Sequence, residues 1–472
     1  MKKLLALVLG AMSVAAFADG SEVTLYGRVS VALENDTFPS NTQVQPGTTS
    51  IQDYGSYFGI RGTDQVYGQT AVVWQVEQFL NIASGEAYQN TTGSSWVPTH
   101  PGSQSTFGSG QPTSGANVFA SSDSYVGVQG DWGRVRIGNL SNTFRTNTGA
   151  VDVYNGANAN VFGTYDRFLT ILPYNIRYDS PSWSNVSFST FYAFNTDGNY
   201  NTGGANGNGM DQAGDMNGYN NAGIIGFGLF YQPGYFSATW NNQVNLNTGM
   251  YQGMGGTSGG YGPYDPVSGT YPQVTQGINA YTSRLELSYN DPDSFFVGAG
   301  AQISQGYGYQ SVPGNGNMNN LWVMQSGQGN VNSQYFNQNN CNAQGWCPLN
   351  TAVLGTAEVG MSLGWHLDNW TPKIGYVYGS NMMNGGSPWD LISGNNQLGG
   401  TGYQQAIAEL DWNITPRTIA FINYGQTWWG NTMQSMIKGS SPGTGTYNNM
   451  TAQGGSININ NGTAAIGFSH TF

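Results

Sequence analysis

The chain has 472 residues, of which 70 are glycine, 13% are aromatic and only 8% are charged, and its formal net charge is −12 at pH 7. Soluble domains usually carry about 25% charged residues, so this composition argues against an ordinary cytoplasmic enzyme. Disordered chains combine high charge with few aromatic residues, and this chain has the opposite balance. The composition leaves a large β protein that is rich in glycine and aromatic residues.

Residues 1–18 have the pattern of a secretory signal peptide. Lys2 and Lys3 provide a basic start, a mostly apolar run follows, and Ala16-Phe17-Ala18 offers a small-x-small cleavage site. The apolar run is too short to cross about 30 Å of hydrocarbon as a helix. We therefore expect cleavage after residue 18, which leaves residues 19–472 as a single mature domain.

The mature chain is acidic and lacks a long apolar segment. Removing Lys2 and Lys3 from the 13 basic residues leaves 11 against 25 acidic residues, a balance of −14. Binding to nucleic acid needs clustered lysine and arginine, so no nucleic-acid partner is expected. No later stretch offers about 20 consecutive apolar residues, which argues against helical membrane spans. An exported soluble protein or a membrane β-barrel remains.

Apolar and polar residues alternate along several segments of the mature chain. The pattern is clearest in residues 23–33, 283–289, 406–412 and 464–472. A strand with this alternation has one apolar and one polar face, and about 9–11 such residues cross a bilayer when the strand is tilted. Because a closed barrel pairs every backbone group between neighbouring strands, these segments predict an all-β transmembrane antiparallel barrel.

The same pattern predicts sixteen strands in the mature chain. Short turns and long loops alternate strictly between them, which is typical of outer-membrane barrels with short periplasmic turns and long extracellular loops. An even strand number is also usual in bacterial barrels of this kind. The predicted strands are residues 23–33, 55–63, 69–80, 122–130, 133–139, 173–180, 184–195, 222–232, 234–246, 280–290, 294–304, 353–366, 369–380, 402–413, 416–428 and 463–472.

Several segments carry a family resemblance when they are taken in chain order. They are Val23-Thr24-Leu25-Tyr26-Gly27, Phe58-Gly59-Ile60-Arg61-Gly62, Tyr125-Val126-Gly127 with Gly133-Arg134-Val135-Arg136-Ile137-Gly138, Asn175-Ile176-Arg177-Tyr178-Asp179-Ser180-Pro181, and Gly467-Phe468-Ser469-His470-Thr471-Phe472. Together they resemble the general-diffusion porins of Gram-negative outer membranes, which are trimeric barrels of sixteen strands. The resemblance implies a water-filled outer-membrane channel for small hydrophilic solutes and ions, surrounded by lipid and lipopolysaccharide as a homotrimer.

The resemblance also implies roles for one loop and for the carboxyl terminus. Residues 140–172 correspond to the third long loop, which in this family folds into the barrel and narrows the pore. Phe472 ends a strand whose apolar residues share one face, and it resembles the aromatic signal that the barrel-assembly machinery reads. The resemblance implies no cofactor and no metal.

Alternation also predicts which charged residues line the lumen. A charge on the lipid face costs up to about 2–4 kcal/mol near the bilayer midplane, so charged strand residues should point inward. The predicted lumen-facing charges are Arg28, Arg61, Glu77, Arg134, Arg136, Arg177, Asp179, Arg284, Glu286, Glu358, Lys373, Glu409, Asp411 and Arg417.

By the resemblance, acids of the third loop face arginines of the wall across a constriction. The loop offers Asp152 and Asp166 together with Arg145 and Arg167, and the wall offers Arg28, Arg61, Arg134, Arg136 and Arg177. The alternative for any one of these residues is an internal salt bridge that fixes the loop. The excess of carboxylates predicts a mild preference for cations near neutral pH.

Cys341 and Cys347 are the two cysteines of the chain, and both lie in one long loop. Exported proteins meet an oxidising environment, so we expect one local disulfide between them. The intervening sequence lacks the spacing of a haem or zinc motif. The three histidines are scattered along the chain, so no catalytic or metal site is expected.

Three alternative functions stay open. A substrate-selective channel would bind one solute through aromatic residues such as Tyr154 and Phe162. A barrel enzyme would need a catalytic partner for His366 or His470, which lie on predicted strands. A structural or adhesive surface protein would form no pore in planar bilayers.

Overall fold

The structure is a computed structural model of the chain. It describes residues 21–36, 48–83, 120–146, 150–155, 171–194, 223–246, 280–305, 322–324, 346–348, 354–384, 397–430 and 461–472. The predicted signal peptide, residues 1–18, lies outside the described residues, so its cleavage stays a prediction.

Nearly all of the described chain is β-strand. The strands are β1 (Ser21–Asp36), β2 (Thr48–Asp53), β3 (Tyr57–Tyr67), β4 (Thr70–Phe79), β5 (Ser124–Gly130), β6 (Gly133–Ser141), β7 (Ile171–Asp179), β8 (Val186–Phe194), β9 (Gly223–Tyr231), β10 (Phe236–Leu246), β11 (Ala280–Asn290), β12 (Phe295–Gln305), β13 (Trp322–Met324), β14 (Trp346–Pro348), β15 (Leu354–Trp365), β16 (Trp370–Gly379), β17 (Met382–Asn384), β18 (Gln397–Leu398), β19 (Tyr403–Thr415), β20 (Thr418–Trp429) and β21 (Asn461–Thr471). One helical turn, α1 (Thr143–Thr146), follows β6. Among the described residues, no helix has the length and apolar character that crossing a membrane requires.

The strands form one closed antiparallel barrel. β1 closes the ring by pairing with β21, so that Val29 lies opposite His470 and Val31 lies opposite Phe468. β1 also pairs with both β2 and β3. These two strands lie end to end beside β1 and occupy one strand position of the barrel, which we call a strand line. In the same way, β17 and β18 extend the lines of β16 and β19. The wall therefore has sixteen strand lines, and the predicted sixteen-stranded antiparallel barrel is confirmed.

Most predicted strand boundaries agree with the structure to within a few residues. The largest difference is the second strand, predicted as residues 55–63, because β2 precedes β3 on the same line and extends it to Thr48. The long connection between β12 and β15, to which the sequence assigned no strands, contains β13 and β14. These two strands pair separately from the wall, with Val323 opposite Cys347.

Side chains alternate between the two faces of the wall, as the sequence pattern predicts. On β19, Leu410 is 36% exposed, whereas its neighbours Glu409 and Asp411 are 4% and 3% exposed. On β16, Ile374 is exposed and the adjacent Lys373 is buried. The apolar outer face suits lipid, and the polar inner face collects the charges whose exposure to hydrocarbon would be costly.

The short turns match the strand twist. Between β7 and β8, Ser184 and Asn185 have φ values of 49° and 69°, and the flanking Trp183 and Val186 exchange two backbone hydrogen bonds of 2.8 and 2.9 Å. Two central residues with positive φ make a type I′ turn, whose twist fits that of paired strands. The predicted strands 173–180 and 184–195 left residues 181–183 for this connection, whereas the structure has its connection at residues 180–185 with the tight turn at Ser184 and Asn185.

Candidate functional site

The connection between β6 and β7 lies against the inner face of the wall. Near its start, Asn142 Nδ2 donates a hydrogen bond to Gln243 Oε1 on β10 at 2.9 Å. Farther along, Ser362 Oγ on β15 donates to the carbonyl oxygen of Ala150 at 2.7 Å. Gln243 and Ser362 are both buried. The described parts of this connection therefore run inside the barrel, from β6 towards β15.

Lys373 on β16 joins this connection to the wall. Its ammonium nitrogen lies 2.9 Å from Glu409 Oε1 and 2.6 Å from Asp411 Oδ2, both on β19. The same ammonium donates a hydrogen bond to the carbonyl oxygen of Val153 at 2.7 Å. All three charged side chains are buried. One ammonium thus links two wall carboxylates to the backbone of the loop.

Asn155 binds the same two carboxylates from the loop side. Its backbone N–H donates to Glu409 Oε1 at 2.8 Å, and its side-chain amide donates to Asp411 Oδ2 at 2.5 Å. The second carboxylate oxygen of Glu409 accepts a hydrogen bond from Asn423 on β20 at 3.2 Å. We define the loop–wall junction as Val153, Asn155, Lys373, Glu409 and Asp411.

Tyr154 lies within the junction segment and faces the wall. Its hydroxyl oxygen is buried and has no hydrogen-bond partner among the described residues. A Cβ atom at Gly375 on β16 would overlap that hydroxyl. Burial, with the carboxylates of Asp152 and Glu409 nearby, raises the pKa of Tyr154 above its usual value. The phenol therefore stays neutral, and its hydroxyl does not present itself to a solute.

Asp179, the last residue of β7, is shared by three arginines. Its Oδ2 lies 2.6 Å from Arg136 Nη2 and 3.5 Å from Arg134 Nη2, and its Oδ1 lies 2.7 Å from Arg177 Nε. Ser189 on β8 donates a further hydrogen bond to Oδ1 at 2.7 Å. We define the arginine cluster as Arg134, Arg136, Arg177 and Asp179. One carboxylate partly offsets three positive charges at this point of the wall.

Arg177 also holds the start of the inward connection. Its Nη1 donates to the carbonyl oxygen of Ser141 at 2.8 Å, and its Nη2 donates to Thr146 Oγ1 at 3.2 Å. Nearby, the guanidinium of Arg145 lies over the ring of Phe79 at 5.3 Å. The contacts of Arg177 match the alternative in which an internal ion pair fixes the loop.

Arg28 and Arg61 occupy the first two strand lines but differ in their surroundings. Arg28 Nη2 donates to the carbonyl oxygens of Tyr54 and Gly55 at 3.0 and 2.9 Å. Arg61 is exposed, and its guanidinium lies over the ring of Tyr26 at 5.0 Å. Arg28 is thus built into the wall, whereas Arg61 offers its charge to the solvent.

Most of the remaining predicted wall charges are buried. Arg417 is the exception, because it is exposed in the turn between β19 and β20, so its prediction as a lumen-facing strand residue is wrong. Glu77 on β4 accepts a hydrogen bond from the Tyr26 hydroxyl at 2.8 Å. Arg284 and Glu286 on β11 and Glu358 on β15 are all buried. Of the predicted lumen-facing charges, five arginines and two acids therefore lie on the arc from β1 to β7, and four acids and two basic residues lie on the arc from β11 to β19.

Some predicted site residues cannot be placed. Asp166, Arg167 and Cys341 lie outside the described residues, so their predicted roles and the disulfide stay predictions, although Cys347 lies on β14. Asp152 directly precedes Val153 of the loop–wall junction. Among the described charged residues, the structure brings together the arginine cluster and, in the junction, Lys373, Glu409 and Asp411.

Three residues of the site, Tyr54, Glu34 and Asn155, were not predicted from the sequence pattern. The Tyr54 hydroxyl donates a short hydrogen bond to Glu34, and both residues are buried. Arg28 and Glu34 are an even number of residues apart on β1, so both point inward, but the predicted strand ended one residue before Glu34. Asn155 has no local signal, because its partners lie 254 and 256 residues away in sequence.

The two histidines of the predicted strands have polar neighbours rather than acids. His366 Nε2 lies 3.2 Å from Asn290 Oδ1, and His470 Nδ1 lies 2.9 Å from Thr418 Oγ1. Both pairs are exposed. In the described part of the chain, no group of three or more His, Cys, Asp or Glu side chains could hold a metal ion.

Comparison with known proteins agrees with this architecture. The family model described as Gram-negative porin matches residues 5–335. The major outer membrane protein P.IA of Neisseria meningitidis serogroup B is 23% identical over 454 residues, which cover 89% of this chain and 93% of that protein.

Two solved structures share the fold. The anion-selective porin from Comamonas acidovorans has a TM-score of 0.56 at 12% identity, covering 96% of this chain and 100% of that one. Salmonella typhi OmpF in complex with daunomycin has a TM-score of 0.51 at 12% identity, covering 96% and 98%. The chain thus belongs to the Gram-negative porins and is a channel protein of the outer membrane.

Proposed function

We propose that this porin passes small hydrophilic solutes and ions by passive diffusion and mildly prefers cations near neutral pH. The observation that carries the sign is the charge balance of the inner face of the wall. Among the described residues, six buried charged residues are acidic and four are basic. They are Glu34, Glu77, Glu286, Glu358, Glu409 and Asp411 against Arg136, Arg177, Arg284 and Lys373. The balance of −14 in the mature chain has the same sign.

The narrow section of the pore is formed by the third long loop, residues 140–172. Support comes from the hydrogen bonds that place Asn142, Ala150 and Asn155 inside the barrel. Among the predicted lumen-facing charges, the excess of arginines on the arc from β1 to β7 and the excess of acids on the arc from β11 to β19 create a transverse field. Asp152, Asp166, Arg145 and Arg167 of the loop take part in it. Rings of charge at a narrow point set the selectivity of such channels.

The fold does not decide which ion is preferred. One structural neighbour is an anion-selective porin, yet a likeness of fold leaves the side chains at the narrow section free to differ. Here the arginine cluster contains its own acid, Asp179, at 2.6 and 2.7 Å from two of the three guanidinium groups. This ion pairing partly offsets the attraction of the cluster for anions, and the excess of acids on the opposite arc sets the sign.

The zero-current potential in planar bilayers tests the ion preference. Refolded protein is inserted between two KCl solutions of different concentration at neutral pH, and the potential that stops the current is measured. We expect a zero-current potential with the sign that a channel more permeable to potassium than to chloride produces. A potential of the opposite sign contradicts the proposed preference, whereas the absence of conductance steps contradicts the channel itself.

A substrate-selective channel is the second candidate. Arg61 is exposed and stacked on Tyr26 at 5.0 Å, so an anionic solute can reach its guanidinium. Tyr154 contributes less than its aromatic character suggests, because its hydroxyl is buried against the wall. Current through single channels that saturates with one solute, and not with others of equal size, favours this second candidate. Neither candidate requires a catalytic group or a cofactor.

The assembled form is proposed to be a homotrimer in a bilayer with lipopolysaccharide. Support comes from the resemblance to trimeric porins, and the mass of the unheated, detergent-solubilised protein tests it. Phe472 serves as the signal for the barrel-assembly machinery, so a Phe472→Ala chain should assemble more slowly than the wild type in membranes that contain the purified machinery. A single protomer mass, or equal assembly rates, contradicts the respective proposal.

Two covalent features belong to the same proposal. Residues 1–18 are removed during export, which mass spectrometry of the mature protein measures directly. Cys341 and Cys347 form one disulfide, supported by their proximity in sequence and by the oxidising compartment. Labelling of two free thiols in the absence of reductant contradicts the disulfide.

A further inference from the structure

Lys373 occupies a position that resembles a cation site more than a surface ion pair. Three oxygen atoms lie within 2.9 Å of its ammonium nitrogen: Glu409 Oε1, Asp411 Oδ2 and the carbonyl oxygen of Val153. The side chain is 7% exposed. Two carboxylates and a backbone carbonyl are the oxygen ligands that hard metal cations also use.

The third ligand makes the site a link between two parts of the protein. Glu409 and Asp411 belong to the wall, whereas Val153 belongs to the inward connection. Val153 is 220 residues from Lys373 in sequence, and Glu409 is 36 residues away. Without the ammonium, two buried carboxylates would face each other and the carbonyl oxygen with no positive charge between them. Like charges and a carbonyl dipole at this distance repel, so the contact between the loop segment and the wall would weaken.

We propose that Lys373 is the built-in cation of the constriction and the residue that positions the loop in the pore. This inference rests on the proposed role of residues 140–172 as the narrow section. The ammonium is fixed to β16, so the site stays filled at any salt concentration. Asn155 completes the link, because its two N–H groups satisfy the remaining sites of the same carboxylate oxygens.

A positioning role of this kind has a specific consequence. If the charge at this point is what matters, another cation of suitable chemistry should replace the ammonium when the lysine side chain is removed. Lys373→Ala opens the space and leaves the oxygen ligands in place. Lys373→Met fills nearly the same space without charge, and Lys373→Arg keeps the charge.

The experiment compares single-channel currents of these variants in planar bilayers, in choline chloride with and without added CaCl2. Wild type should show one sharp conductance level that calcium does not alter. Lys373→Ala should show a broadened set of levels with more open-channel noise, and calcium should restore the single level. Lys373→Met should stay broad in calcium, and Lys373→Arg should resemble the wild type.

The mature chain supplies a matched control, because Lys438 is its only other lysine. Lys438→Ala makes the same change of net charge and should leave the current unchanged. If Lys373→Ala keeps the single level of the wild type, or if calcium restores neither its level nor its noise, the inference is wrong. Both results leave the proposed channel function intact, since that function depends on the wild-type conductance and ion preference.

A second variant covers the case in which Lys373→Ala does not fold. Asn155→Ala removes the amide hydrogen bond to Asp411 but keeps every charge of the junction. Because the ammonium still bridges both carboxylates and the carbonyl oxygen of Val153, we expect a level close to that of the wild type, with and without calcium. Asn155→Ala channels with broadened levels would show that the ammonium does not position the loop, and would overturn the inference.

Discussion

Gly27 and Phe472 close the barrel by exchanging two backbone hydrogen bonds of 3.1 Å, one in each direction. The ring of Phe472 lies over Gly27, where a Cβ atom would come within 2.6 Å of the ring and 2.7 Å of the carbonyl oxygen of Tyr57. A side chain at residue 27 would thus meet both a ring that can turn and a backbone atom that cannot. Because residue 27 has no side chain, Phe472 can pack where β1 meets β21, and we call this contact the seam.

Gly27→Ala should therefore weaken the seam. Inserting a methyl group into a packed contact costs about 1–3 kcal/mol, and the fixed carbonyl of Tyr57 prevents simple relaxation. We expect a lower temperature for loss of the folded form, measured by the heat-dependent migration of the barrel in SDS gels. Gly399→Ala is the matched control, because no heavy atom of the described residues other than its chain neighbours lies within 4 Å of that Cβ position. Equal melting of the two variants would mean that the seam does not depend on this contact.

Asp179→Asn should destabilise the barrel and change its ion preference. The change leaves Arg136 and Arg177, which are 9% and 4% exposed, without their shared carboxylate. Removing one partner of a buried ion pair costs about 3–5 kcal/mol, and the freed positive charge should move the zero-current potential towards anions. Unfolding in denaturant and the zero-current potential measure the two effects. Asp131→Asn, in the exposed turn between β5 and β6, should change neither quantity.

The sequence determined the wall of this barrel far better than its interior. Alternation alone placed Glu409 and Asp411 inward, because the cost of charge in hydrocarbon forces each strand into one of two orientations. Glu34 was not predicted to face inward, because the predicted first strand stopped at residue 33, where the alternation of apolar and polar residues weakens. The contact of Asn155 with Asp411 could not be predicted, since loop residues have no fixed period and the two positions are 256 residues apart.

The cation preference should fade in acid. Carboxylates ordinarily titrate near pH 4, whereas the arginines keep their charge throughout this range. As the pH falls, the inner face loses negative charge and keeps positive charge, so the zero-current potential should move from the cation side towards the anion side. A pH series from neutral to about pH 3, in one KCl gradient, measures this shift. A preference that stays constant across the series would mean that carboxylates do not set it.

Arg61→Gln and Arg28→Gln should separate selectivity from stability. Arg61 is exposed and contacts Tyr26 through its guanidinium face at 5.0 Å, so its loss should move the zero-current potential towards cations with little effect on unfolding. Arg28 instead donates to the carbonyl oxygen of Gly55 at 2.9 Å. Hydrogen bonds to charged groups contribute about 1.5–3 kcal/mol, so Arg28→Gln should mainly lower the free energy of unfolding.

Both variants remove one positive charge, so each is the control for the other. The zero-current potential and the free energy of unfolding are measured for both proteins. We expect Arg61→Gln to change mainly the potential and Arg28→Gln to change mainly the free energy of unfolding. If Arg28→Gln shifts the potential as far as Arg61→Gln does, then exposure to the lumen does not govern which arginine the ions sense. The selectivity would then follow the total charge of the wall, and the distinction between buried and exposed arginines would apply to stability alone.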